Sequence, residues 1–477
     1  MADIKKFIET IEVGNNMHSV IMIHGSEVLF EGYWAPYRRE SGQRMYSETK
    51  SLVGIAIGML EHEGKLSLDD PIYTFFPDKI ERELPELLKR QTIRNNLMMS
   101  TAVTYPSWFI SRDRDRVHLY FNGSDVVRAP GTLFTYDSTG SQVLGCLVER
   151  LSGMSLLDYI RSKTGLFPTA KILKTPTGES WCDSGLICTL REMAEFGCFV
   201  MNGCVTKDGR ETVGRQYLAD AVSNLIATDD TGFYSYKSLG YGYQIWHTRY
   251  DGFCFFGMGN QLTVCIPSKN FLFACTGDDQ GNAEARRVLM DALFEYVIDR
   301  LDEPTDRSFK PVLTLKHAEG ACDSPVIPSI NHVKYVAEKN ITGIKWFMLN
   351  FEEDRLDFVY KNAQGVKLIS AGACKNIFGK FPEEGYSKEV GGESEPGHKY
   401  DAAFSYAFET DGNLLIQCRI IDEYLGNLSI FFGFNGEYAT VRFVKKAENF
   451  LREYEGTVIF RECDDFTNDD MFDEPDE

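Results

Sequence analysis

The spacing of apolar residues changes character once along the chain, near residue 302, and this bounds the fold more tightly than any other feature. Before it, apolar residues recur at helical spacing, as in SLVGIAIGMLEHEG from Ser51 to Gly64. That helical middle is framed by strand-like stretches, VIMIHGSEVLFEGY near the start and QLTVCIPS and NFLFACTGD before residue 278. An amphipathic helix over Ala283–Leu301 closes the block. Strands, helices, strands and a last helix predict an α+β core in which the terminal elements pair across a helical insertion. After the change the texture is nearly all β: WFMLNFEEDRLDFVY and AAFSYAFETDGNLLIQCRII alternate apolar and polar residues. Asp411-Gly412 and Asn435-Gly436 sit where two-residue hairpin turns belong. The predicted organisation is a core over 1–301, a linker over 302–312, an antiparallel β-barrel or sandwich over 313–460, and a tail over 461–477.

Charge narrows the partners. The 477 residues carry a formal net charge of −20, and the last 16, from Glu462 to Glu477, hold nine acids and no Lys or Arg. That block reads as a solvated, disordered tail. An acidic chain lacks the basic face that nucleic acid or an anionic membrane surface requires, so neither is an expected partner. No run of about 18 apolar residues occurs, and the charged, amphipathic start does not read as a signal peptide. The expected location is the cytoplasm. The 12 cysteines show no C-x-x-C and no zinc spacing, so reduced, buried thiols are expected.

Chemistry enters through what is missing and one spacing that is present. There is no G-x-x-x-x-G-K-[ST], no G-x-G-x-x-G opening a helix, no H-E-x-x-H and no G-x-S-x-G. Ser47-Glu48-Thr49-Lys50 opens the apolar helix, and the i, i+3 spacing puts Ser47 and Lys50 on one face. A hydroxyl becomes a nucleophile when a base takes its proton, and a lysine buried against an apolar helix can be that base. Alone, the triplet is weak evidence, and a helix-capping serine beside an exposed lysine is the more economical reading.

The surroundings decide between these. YSETKSLVGIAIGMLEHEGKLSLDDPIYTFFPD resembles the nucleophile helix of the serine β-lactamase-like superfamily. That superfamily includes class C β-lactamases, family VIII carboxylesterases, 6-aminohexanoate-dimer hydrolases and D-amino-acid peptidases. TIRNNLMMST and PGTLFTYDSTGSQVLGCLVERLSGMSLLDYI resemble its next blocks in order, and the resemblance spans about residues 15–300. It implies a β-lactamase/transpeptidase-like α+β fold: an antiparallel sheet flanked by helices, with a helical subdomain. Ser47 then stands for the acylated nucleophile, Lys50 for its partner and Tyr136 for the tyrosine of Tyr-x-Asn. The resemblance implies a phenol that acts as general base once a neighbouring ammonium lowers its pKa. Ser138 replaces the usual asparagine, which puts that residue's substrate contact in question.

Lys163-Thr164-Gly165 copies the third motif literally but follows a helix, LLDYIRSK, so Gly165 reads as a helix cap. The positional match is Phe255-Phe256-Gly257. The resemblance implies that Gly257 lets the backbone approach substrate, and that the N–H groups of Ser47 and Met258 form an oxyanion hole. Phe255 stands where a cation would grip a β-lactam or peptide carboxylate. Substrate contacts are expected from Ser138, Phe255, Gly257 and Trp181; Trp181 lies in a segment, Trp181–Leu186, that resembles the family's cleft-bordering Gly-Gly-Leu. The expected activity is a serine hydrolase acting through an acyl-enzyme on a small ester or amide, with no metal or other cofactor. Two alternatives stand beside it: a catalytically degenerate binding or regulatory protein on the same fold, motivated by Ser138 and Phe255, and a D-amino-acid peptidase or penicillin-binding-type enzyme. The β domain is expected to limit substrate size or to support homo-oligomers.

Overall fold

Gly25, at φ +61°, and Ser26 turn the chain between β1 (Met17–His24) and β2 (Glu27–Tyr33), the hairpin expected from His24-Gly25-Ser26. This computed structural model describes residues 3–104, 111–228, 240–301, 309–337, 340–384, 399–446 and 454–463. Residues 302–308 of the predicted linker and 464–477 of the predicted tail lie outside the described residues. The chain divides into two compact units; the described residues of the first end at Leu313, and the second begins at Thr314.

In the first unit the hairpin joins β3 (Gly240–Tyr241), β4 (Trp246–Thr248), β5 (Gly252–Gly257), β6 (Gln261–Ile266) and β7 (Phe271–Gly277) in one sheet. Its order is β2-β1-β7-β6-β5-β4-β3. β1 pairs antiparallel with β7, Val20 opposite Cys275, so the strands on either side of the helical middle do meet. Period-two alternation feeds two cores. Phe253 and Phe255 join a cluster with Val53, Leu144 and Phe196 from helices α2 (Thr49–His62), α4 (Ser138–Ser152) and α6 (Leu190–Met201). Cys254, Val264 and Phe273 join a second cluster with Phe7 from α1 (Ile4–Gly14) and Leu289 from α7 (Ala283–Ala292). α2 is the central helix: every residue from Thr49 to Leu60 is buried, which explains why its apolar run has little polar face.

The second unit is a ten-stranded sheet from Lys334–Ala337 to Gly456–Glu462. It closes on itself where Gly372 and Ala373 pair in parallel with Ser405 and Tyr406, so barrel rather than sandwich is the outcome. Alternation is strict in Arg355–Asn362, whose even-numbered residues are buried. The predicted turns differ in detail. Asp411-Gly412 lies within a five-residue connection, because the last pair is Phe408 with Leu414. Asn435 still pairs, with Tyr438, so the two-residue turn is Gly436-Glu437, with Gly436 at φ +60°. The expectation of reduced thiols fails at one pair: Cys322 and Cys374 form a disulfide, their Cα atoms 5.5 Å apart across 52 residues of sequence. Among the described residues no helix is long and apolar enough to cross a membrane.

Candidate active site

Ser47 lies in a single 3₁₀ turn, Tyr46–Glu48, that leads directly into α2. Tyr46 takes a left-handed backbone, φ +47°, a conformation that a bulky residue holds only when its surroundings impose it. Those surroundings are visible. The Met45 N–H donates to the Leu186 carbonyl at 2.8 Å, and the Thr49 hydroxyl donates to the Tyr46 carbonyl at 2.6 Å while accepting from the Leu186 N–H at 3.1 Å. On the other side Gly257, the last residue of β5, lies so near Met45 that a Cβ there would fall 2.2 Å from the Met45 carbonyl oxygen. The Ser47 turn is thus clamped between β5 and the strand Leu186–Thr189.

Lys50 follows one turn later and is buried, 1% exposed. Its Nζ donates to Ser47 Oγ at 2.8 Å and to the Asp183 carbonyl at 2.7 Å, and lies 5.1 Å from the centroid of the Tyr136 ring. Tyr136 hydrogen-bonds the Ser47 side chain and stacks on Trp246, rings 5.9 Å apart and 16° from parallel. Asp137 behind it caps α4, accepting from the Gly140 N–H at 2.9 Å and from the Thr139 hydroxyl at 2.8 Å, which fixes where the tyrosine leaves the helix. The direction expected for the Tyr136 phenol is corrected: burial pushes its pKa up, and Asp183 adds to that.

Two of the expected substrate contacts are also corrected. Trp181 is 1% exposed, its ring held between the guanidinium carbons of Arg44 at 4.4 Å and Arg116 at 4.3 Å. Phe255 is fully buried, 5.3 Å from Phe196 and 5.7 Å from Phe253, so it belongs to the core under the sheet. Its neighbour Phe256 takes the opposite face and carries the Arg286 guanidinium 3.8 Å over its ring. Ser138 is the half-buried first residue of α4. Met258 is half-buried in the turn after Gly257, and its carbonyl accepts from Gln261 at 3.0 Å. The turn is tight because Gly259 and Asn260 both have positive φ, +77° and +68°. Lys163-Thr164-Gly165 closes α5 (Leu156–Thr164), with Gly165 at φ +72° as its cap and Lys163 paired with Glu63.

The family model for Beta-lactamase matches residues 17–296. This chain belongs to the Beta-lactamase family. Within it, the chain is 26% identical over 249 residues to a 6-aminohexanoate-dimer hydrolase of Paenarthrobacter ureafaciens; the match covers 48% of this chain and 63% of that protein. The chain therefore spans less than two thirds of that relative's length. Among solved structures, a Bacillus anthracis protein provisionally assigned as a 6-aminohexanoate-dimer hydrolase superposes with a TM-score of 0.52 at 17% identity, covering 62% of this chain and 82% of that one. SurE, solved with D-Leu, superposes with a TM-score of 0.50 at 15% identity over 87% of this chain and 96% of its own. Both likenesses are of fold alone.

Two features of this Beta-lactamase-family site escape sequence reading. Arg44 and Arg116 come from separate segments, and their patterns mark them only as an arginine in a strand and an arginine in a helix.

Proposed function

We propose that this chain is a serine hydrolase that works through an acyl-enzyme on a small ester or amide. The observation that carries the reading is the 2.8 Å hydrogen bond from the buried Lys50 Nζ to the half-buried Ser47 Oγ, with the Tyr136 hydroxyl on the same serine. A serine flanked by an amine and a phenol has both a route for its proton and a means of returning it.

In this reading Ser47 Oγ attacks the substrate carbonyl carbon and its proton passes to Lys50. The new C–O bond makes a tetrahedral oxyanion, held by the N–H groups of Ser47 and Met258. Collapse breaks the bond to the alcohol or amine, which leaves with a proton delivered through Tyr136. Lys50, still carrying the serine's proton, restores the phenol. Water then attacks the acyl-enzyme along the same route, releasing the acid and restoring Ser47. The close approach of Gly257 to Met45 supports the oxyanion assignment, since it brings the end of β5 against the nucleophile turn.

Intact-mass and peptide mass spectrometry after treatment with a fluorophosphonate, a penicillin and short p-nitrophenyl esters tests the reading. A single adduct on Ser47, lost in Ser47→Ala, is expected. Absence of any adduct, with ester turnover unchanged in Ser47→Ala, would overturn it.

A further inference from the structure

Asp183 touches the proposed catalytic group twice. Its carbonyl accepts from Lys50 Nζ at 2.7 Å, and its carboxylate Oδ2 lies 3.9 Å from the same nitrogen. The other carboxylate oxygen, Oδ1, lies 3.8 Å from Arg116 Nη1, and all three side chains are at most 4% exposed. We propose that Asp183 is a positioning residue whose carboxylate, shared between Lys50 and Arg116, sets the pH range over which Lys50 can take the Ser47 proton. This rests on the serine-hydrolase reading above and extends it.

The turn that carries Asp183 is built to hold it. The Cys182 N–H donates to Gln142 Oε1 at 2.8 Å, and Gln142 Nε2 donates to the Ser180 carbonyl at 2.8 Å, which ties the turn to α4. Arg44 Nε donates to the Ser184 carbonyl at 2.8 Å on the far side. Gly185 completes the bend, because a Cβ there would fall 2.6 Å from the Trp181 carbonyl oxygen.

Charge then decides the chemistry. Arg44 and Arg116 flank Trp181, so two guanidinium groups and the Lys50 amine share one buried region with the Asp183 carboxylate. Burial pushes the Arg116 guanidinium down to about 10, and Asp183 is the main group opposing that fall. The groups facing Asp183 are Lys50 from α2, Arg116 from α3 (Arg116–Gly123), Tyr136 ahead of α4, and the thiol of Cys182 beside it. A guanidinium keeps its proton in proteins even where burial disfavours the charge, so of the three cations the lysine amine is the one able to give its proton up. Removing the carboxylate leaves cation against cation, and Lys50 yields first. Removing the Arg116 charge has the opposite effect, because a cation that disfavours a charged Lys50 is gone while the Asp183 carboxylate beside Lys50 remains.

The test is the pH dependence of the rate of Ser47 labelling by a fluorophosphonate, on the full chain, with thermal unfolding measured alongside. In Asp183→Asn the acid limb of the profile is expected to move to lower pH by about one unit or more. Asp183→Glu is expected to restore it toward the parent, and Arg116→Gln to move it the other way. Coincident profiles in folded Asp183→Asn and Arg116→Gln would overturn the proposal; if Asp183→Asn fails to fold, a profile for Arg116→Gln unmoved from the parent does so alone. A parent chain that shows no Ser47 labelling at any pH overturns the hydrolase reading itself, and the proposal falls with it.

Discussion

Gly257 meets the carbonyl of Met45 so closely that a Cβ at position 257 would lie 2.2 Å from that oxygen. Because the neighbour is backbone, it cannot swing aside as a side chain could. Gly257→Ala is therefore expected to push β5 away from the Ser47 turn, lowering stability by about 1–3 kcal/mol. Ser47 labelling should slow by more than the stability loss explains, as the turn and the Met258 N–H separate. Paired thermal unfolding and labelling rates check this.

Lys50 makes two hydrogen bonds that a methionine of similar length cannot make, to Ser47 Oγ and to the Asp183 carbonyl. Lys50→Met is expected to retain the packing of α2 while slowing acylation by about 10²–10⁴-fold, the range of a lost general base. Stopped-flow or single-turnover ester hydrolysis reads it, with circular dichroism confirming the helix.

Tyr136→Phe keeps the ring that stacks on Trp246 and removes only the hydroxyl that reaches Ser47. Turnover is expected to fall about 10²-fold with little change in melting temperature. Burial holds the phenol above the ordinary tyrosine value of 10.0, so the substitution should delete no tyrosinate absorbance below that pH. A spectrophotometric titration of the two proteins makes the comparison.

Glu48 follows Ser47 in sequence yet faces the sheet, 1% exposed, with the Thr263 hydroxyl as the group that favours its charged form. Burial raises its pKa well above 4.5. Below pH 4.5 the folded and unfolded states are both protonated, and the group has no effect on stability. As pH rises past that value the unfolded state ionises first, so stability falls until the folded carboxyl titrates as well. Glu48→Gln removes this loss. Its stabilising effect should be near zero at low pH and grow to about 1–3 kcal/mol near neutrality, read by denaturant unfolding across pH.

The legible parts of this protein are those set by neighbours along the chain. Ser47 and Lys50 are three residues apart on a helix, so their hydrogen bond follows from helical geometry once the helix forms. Gly165 caps its helix for an equally local reason, which is why the literal Lys163-Thr164-Gly165 was readable as no part of the site. The hairpin at Gly25-Ser26 belongs to the same class.

Phe255 and Trp181 show where that reading stops. Which of Phe255 and Phe256 faces the core depends on which side of the sheet α6 and α7 pack, and alternation alone does not label the faces. Trp181 lies 137 positions from Arg44 and 65 from Arg116, so neither spacing nor composition announces the cation–ring–cation stack.

By itself, then, the sequence determined the two folding textures, the order of elements and the Ser47–Lys50 pair, because hydrophobic period and helix spacing are properties of short segments. Only the tertiary structure decided that the second texture closes into a barrel, through the parallel pairing of Gly372–Ala373 with Ser405–Tyr406. It alone placed Asp183, 133 residues from Lys50, with its carbonyl on the amine and its carboxylate between that amine and Arg116. Long-range contacts of this kind arise when separately formed elements bury their apolar faces together, and the charges left between them must then satisfy one another.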